Sequence, residues 1–277
     1  MMMRSPVKKN TNIKPYWKTI ETIINKADII LEIIDARLPE ISRNVNLEEM
    51  IEKHGKKKIF IVNKSDLVSK EVVEKVTKEL NDISPAIFVS STNKLGFKLL
   101  RSKIYQLAYE INKTKDSKES KYKSKIVVGV VGYPNVGKSS VINALAFSKK
   151  APVSAKAGTT HGEQKINITE KIQVLDSPGV IPVLEQDEIR HGLIGARNPN
   201  KINNLERLAE TIIAMFLKHN KKAMEDFYKI KIESTETYEI LLEIGRKKGH
   251  LKKGGEVEEN RTSTAIIDDW QKGKLKL

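Results

Sequence analysis

Apolar residues recur every three or four positions in PYWKTIETIINKA (15–27), so Trp17, Ile20, Ile23 and Ile24 share one face of a predicted helix. DIILEIIDA (28–36) has a different texture, an apolar run ending in a charged turn, which suits a strand buried in a parallel sheet. The two textures then alternate. VNLEEMIEKHG (45–55) reads as a helix closed by Gly55, and KKIFIV as a strand running into a polar tetrad. SKEVVEKVTKELNDI (69–83) reads as a helix capped by Ser69. AIFVSS opens a third strand, and FKLLRSKIYQLAYEINK forms a further helix. Strands alternating with helices predict a parallel sheet covered on both faces.

KTKDSKESKYKSK (113–125) interrupts this rhythm with charge and small polar residues, and reads as a solvated linker. After it come a strand (126–131), a glycine loop and a helix. KINITEKIQVLDSPG (165–179) offers two strands, the second ending in Asp176. Beyond residue 200 the strand signal stops. Leu205, Leu208, Ile212, Met215 and Phe216 line one helical face, while TYEILLEIGRKKGH and STAIIDDWQKG predict shorter helices. The stripe at 205–216 reads as core, and Trp270 as an anchor onto that core in preference to a residue that stacks on a base. The expected organisation is an N-terminal basic segment and helix (1–27), an α/β domain (28–199) and a small all-helical domain (200–277).

Composition sharpens this picture. The hydrophobic fraction of 39% supports a core, built mainly from Ile, Leu and Val because aromatics make up only 5%. The chain has no cysteine, which excludes disulfides and thiolate metal sites. No run reaches the roughly 18 apolar residues of a membrane span, and the N-terminus lacks the apolar stretch of a secretory signal. A cytoplasmic protein without membrane contact is therefore expected. Fifty Lys and Arg against 35 Asp and Glu leave a net charge of +15, which favours a polyanionic partner over a mere Lys-rich composition bias. GRKKGHLKKGG (245–255) concentrates this charge beside glycines, so Arg246, Lys247, Lys248, Lys252 and Lys253 are candidate RNA contacts.

GYPNVGKS (132–139) matches G-x-x-x-x-G-K-[ST] between a strand and a helix. Its glycines let backbone N–H groups turn inward on phosphates at a helix N-terminus. Lys138 is expected to reach the β- and γ-phosphates, and the Ser139 hydroxyl to bind Mg²⁺. Asp176 is the candidate carboxylate on the metal side, and Gly179 is placed for its N–H to meet the γ-phosphate. AGTTHG (157–162) lies between them, and a threonine there can close on Mg²⁺ as a switch.

NKSD (63–66) explains the choice of base. The Asp66 carboxylate accepts from guanine N1–H and N2–H₂, whereas adenine presents an acceptor at N1. Asn63 and Lys64 brace the base and its loop together with Ser65. Ser90, Ser91 and Thr92 follow the next strand, with the Ser91 N–H offered to guanine O6. The order is base, base, phosphate, switch, switch. A parallel α/β sheet tolerates such a circular permutation when the old termini are joined, and the linker at 113–125 is the expected join.

The permuted order, with DARLPEISRN (35–44), NKSDL, GYPNVGKSSVINAL and DSPG, resembles the circularly permuted GTPases of ribosome assembly. The tail at 241–275 is similar to the C-terminal helical region of the RbgA/YlqF group. This resemblance covers nearly the whole chain. It implies a circularly permuted P-loop GTPase domain that binds GTP and GDP, and a role in maturation of the large ribosomal subunit with rRNA as partner. By position it carries nucleotide binding to Asn63, Lys64 and Asp66 and to Asn135, Val136, Gly137, Lys138, Ser139 and Ser140. It also carries the Mg²⁺-binding switch threonine to Thr160. Asn135 implies K⁺ near the phosphates, hence potassium stimulation.

Val180 follows DSPG where many GTPases have a water-orienting Gln. Slow intrinsic turnover, stimulated by a partner, is therefore expected. His161 either positions the water or is a surface histidine of the loop. The chain is expected to act as a monomer. A GTPase working on another RNA or a translation factor, in tRNA modification or translation regulation, is the alternative reading.

Overall fold

The computed structural model describes residues 14–115, 125–146, 164–176 and 188–277. Six strands form one sheet in the order β3-β2-β1-β4-β6-β5. These are β1 Ile29–Asp35, β2 Lys57–Asn63, β3 Ala86–Phe88, β4 Ile126–Val131, β5 Gln164–Asn167 and β6 Ile172–Asp176. All neighbouring pairs run parallel except β5 with β6, a hairpin at the sheet edge. The central strands have almost no exposed side chain, as their unbroken Ile/Val composition requires.

Three helices cover the sheet where the 3.6-residue period predicts them. Helix α1 (Lys14–Lys26) contributes Ile20, Ile23 and Ile24 to the sheet core. Asn44 caps α3 (Val45–Lys53) by accepting the Leu47 N–H at 3.0 Å. Ser69 caps α4 (Lys70–Asn81) by accepting that of Val72. Helix α2 (Pro39–Ser42) is one turn long, too short for a period to reveal. Helices α5 (Phe97–Lys115) and α6 (Lys138–Leu145) complete the layers.

A second hydrophobic cluster lies beyond the sheet. It is built from α7 (Glu188–Leu193), α8 (Leu205–His219), α9 (Lys221–Tyr228), α10 (Thr237–Lys247) and α11 (Glu259–Gln271). Leu208, Ile212 and Phe216 of the predicted stripe are fully buried there, and Trp270 packs edge-on against Phe216 at 6.0 Å. Leu38 and Ile41, flanking and within α2, touch both clusters and form the seam between them. No helix among the described residues is long and apolar enough to cross a membrane.

Candidate nucleotide site

The carboxyl ends of β1, β2 and β4 lie side by side. The order places the reversal of winding between β1 and β4, where open α/β sheets bind ligands. The phosphate loop leaves β4 there, and the NKSD turn leaves β2 two strands away. Two glycines fit the phosphate loop by necessity. Gly132 adopts φ 145°, and a Cβ on it would lie 2.5 Å from the Ile33 carbonyl oxygen. Gly137 adopts φ 99°, and a Cβ there would lie 2.2 Å from Asn63 Nδ2.

That second approach shows how the permuted halves meet. Asn63 Nδ2 donates to the Val136 carbonyl at 2.9 Å, and Asn63 Oδ1 accepts from the Ser91 N–H (3.2 Å) and Oγ (2.9 Å). One buried amide thus joins three loops that the sequence separates by up to 73 residues. The Ser91 N–H, expected on guanine O6, is here directed at Asn63. Ser90 is fully buried, and its Oγ accepts the Asn93 N–H at 3.0 Å; Thr92 is exposed. The Ser65 N–H donates to the Val89 carbonyl, and Asp66 is half-buried in the 3-10 turn 65–67.

Lys64 adopts φ 64°, and its Nζ pairs with Asp35 Oδ2 at 2.7 Å. Arg37 also pairs with Asp35, using Nε at 3.0 Å and Nη2 at 2.8 Å. Burial opposes the Asp35 charge, but Arg37 and Lys64 outweigh it and hold the carboxyl well below the usual range. Asp35 and Arg37 entered the sequence reading only within the motif DARLPEISRN; their roles here were missed. An Asp-x-Arg ending an apolar strand, beside the strand that carries NKSD, was the available signal.

On the phosphate side, the buried Lys138 Nζ donates to the Gly132 (3.0 Å) and Tyr133 (2.7 Å) carbonyls. Burial lowers the Lys138 pKa and raises that of Asp176, although each charge favours the other. Asp176 ends β6, and its buried Oδ1 has no hydrogen-bond partner among the described residues. Ser139 and Ser140 are half-buried in the first turn of α6. A buried carboxylate oxygen with open capacity and a hydroxyl next to Lys138 form an oxygen donor set that fits Mg²⁺. Asn135, at φ 61°, donates its side-chain amide to the Gly195 carbonyl. Thr160, His161, Gly179 and Val180 lie outside the described residues, as does most of the linker 113–125.

In the basic tail Arg246, Lys247, Lys248, Lys252 and Lys253 are all exposed. Lys248 also pairs with the buried Asp269 at 3.0 Å, alongside Lys274 at 2.8 Å, and lies 5.3 Å from the Tyr228 ring centre.

A family model described as 50S ribosome-binding GTPase matches residues 127–244, a span that includes the phosphate loop and excludes NKSD. An uncharacterised GTP-binding protein of Methanocaldococcus jannaschii is 39% identical over 94% of this chain and 66% of its own. The nuclear GTP-binding protein NUG1 of Saccharomyces cerevisiae is 33% identical over 95% of this chain and 55% of its own. The chain thus spans between about half and two thirds of the length of these curated relatives. GDP-bound YlqF matches with TM-score 0.62 and 22% identity, covering 93% of this chain and 95% of the other. GNP-bound YlqF from T. maritima matches with TM-score 0.59 and 20% identity, covering 95% of each. With base-recognition elements preceding the phosphate loop in one sheet, and with these likenesses along the chain, the protein belongs to the circularly permuted GTPases of the YlqF and NUG1 type.

Proposed function

We propose that this chain binds GTP and hydrolyses it to GDP and phosphate, as a switch in assembly of the large ribosomal subunit. The carrying observation is the Asn63 amide, which ties both base-side loops to the phosphate loop and so brings two halves distant in sequence together. Asp66 accepts from the guanine edge, and Lys64 and Asn63 hold its turn. Lys138 exchanges its two backbone carbonyls for phosphate oxygens, and the N–H groups of 136–140 orient those phosphates. Ser139 and Asp176 would hold Mg²⁺, Asp176 through a water and Thr160 completing the set; when bound, the ion neutralises charge on the β- and γ-phosphates. Gly179 offers its N–H to the γ-phosphate. His161 positions the attacking water in the absence of a Gln at 180, and Asn135 supports K⁺ beside the phosphates.

The 50S ribosome-binding description of the matching family model supports the ribosomal setting. The exposed Arg246, Lys247, Lys252 and Lys253, with a net charge of +15, support rRNA contact. The test is steady-state GTP hydrolysis in K⁺ and in Na⁺ buffer, alone and with purified large or small subunits. Stimulation by large subunits only, and faster turnover in K⁺, is expected. Hydrolysis unchanged by either subunit would overturn the ribosomal reading and direct attention to tRNA or a translation factor. Equal rates in the two salts would remove potassium.

A further inference from the structure

The C-terminal helix reaches the nucleotide loops at three places. Trp270 of α11 is fully buried, and the Arg37 guanidinium lies 4.0 Å from the centre of its ring. Arg37 Nη1 donates to the Trp270 carbonyl at 2.5 Å, while Nε, Nη2 and the Arg37 backbone N–H all donate to Asp35. Asp35 in turn holds Lys64, the residue before Ser65 and Asp66. Just beyond α11, Gly273 at φ 71° lies so close to Leu67 that a Cβ would meet Leu67 Cδ1 at 2.8 Å. The Leu277 N–H donates to the Leu67 carbonyl at 3.1 Å. Finally, Trp270 Nε1 and Gln271 Nε2 donate to the Leu193 and Gly192 carbonyls, and the nearby Gly195 carbonyl accepts from Asn135 of the phosphate loop.

Arg37 is the hinge of this arrangement. Its side chain is almost fully buried and each end of its planar fork is fixed, by a carboxylate on one side and by a carbonyl and an indole face on the other. A buried guanidinium that parts from Asp35 exposes an uncompensated charge, and one that parts from Trp270 strands a buried donor and loses the indole face, so displacement of α11 is transmitted to Asp35 and then to Lys64. We infer that Arg37 is a positioning residue for guanine recognition, through which Trp270 of the helical unit fixes Asp35 and Lys64 and so sets the nucleotide affinity of the NKSD turn. The inference rests on the GTP-binding reading above and adds a residue and a route to it.

Arg37→Lys keeps the charge beside Asp35 but removes the flat fork that spans to Trp270. Full-length wild type and variant are compared by competition of GDP and of IDP against a fluorescent GDP, with thermal melts alongside. IDP lacks the 2-amino group that Asp66 accepts from, so the GDP-to-IDP ratio reports the placement of the base turn rather than general stability. The variant is expected to bind GDP about tenfold more weakly, with its preference for GDP over IDP falling toward unity. Unchanged GDP affinity, or equal weakening of GDP and IDP, overturns the inference. Wild type that binds no guanine nucleotide overturns the GTP-binding reading instead. Should Arg37→Lys fail to fold, Trp17→Phe leaves Trp270 as the sole tryptophan of the two in the chain. Coupling is reciprocal, so saturating GDP is then expected to shift Trp270 emission, and an unchanged spectrum overturns the inference.

Discussion

The base side and the phosphate side of the site are built on opposite terms. On the base side, Asn63 bonds Ser91 and Val136, and Asp35 bonds Arg37 and Lys64, so each of these side chains has a protein partner. On the phosphate side, Asp176 Oδ1 is buried without a partner among the described residues, and the Lys138 ammonium rests on two backbone carbonyls. Burial disfavours both charges of that pair, whereas on the base side the neighbouring cations overcome it at Asp35. Specificity for a base needs fixed geometry, so its elements are cross-braced in advance. Phosphates bring charge with them, so the groups that meet them can be buried with capacity to spare.

The largest expected effect separates binding from stability. Lys138→Ala should weaken GTP and GDP by on the order of 100-fold, roughly 3 kcal/mol, in a fluorescent-nucleotide titration, because a charge-assisted contact to phosphate is lost. The melting temperature should hold, because Asp176, already pushed up by burial, can take a proton once the ammonium is gone. Asn63→Ala should do the reverse in kind. It removes three hydrogen bonds that fasten loops to one another, so about 1–3 kcal/mol of unfolding stability in urea is expected to go, with roughly tenfold of nucleotide affinity. A Lys138→Ala protein as destabilised as Asn63→Ala would erase the distinction.

Strand β1 carries a smaller version of the same contrast. Asp35, three residues beyond Glu32, is held ionised by Arg37 and Lys64. Burial, reinforced by Glu48, pushes Glu32 up to about 8; its Oε1 accepts the Asn44 N–H and Lys58 is 3.8 Å from its Oε2. Between its ordinary value and about 8, folded Glu32 keeps a proton that the unfolded chain has released, so stability should fall as pH rises through that window. Glu32→Gln should flatten the slope, worth up to about 1.4 kcal/mol per pH unit, in urea midpoints at pH 5 and pH 8. Asp35 has the opposite sign: its contribution is complete at neutral pH and is lost as pH falls below its ordinary value of 3.8.

The smallest effects lie in the tail. Lys247→Ala should reduce the salt dependence of RNA binding by about one counterion, whereas Lys248→Ala should leave it unchanged and cost about 0.5–1 kcal/mol of stability. Equal salt slopes for the two variants would show that the Asp269 pair does not withhold Lys248 from RNA.

Much of this was legible along the chain because it is local. The apolar runs of β1, β2 and β4, the helical stripes of α1 and α8 and the cap at Ser69 each depend on residues within a turn or two. The turn α2 and the short α7 and α9 escaped, because one or two turns leave no period to read. Within the site, the glycine loop and NKSD were readable because ligand chemistry fixes their spacing.

The sequence by itself therefore determined the longer strands and helices and the permuted order of the nucleotide motifs. Tertiary structure alone decided which side chains the motif residues spend their hydrogen bonds on. It turned the Ser91 N–H toward Asn63, placed Asp35 and Arg37 under Lys64 and carried that chain to Trp270, 233 residues away. The reason is burial. Spacing can specify a contact with a ligand or within one turn, but a buried polar group takes whichever partner the packing brings within about 3 Å, and no local pattern records that choice.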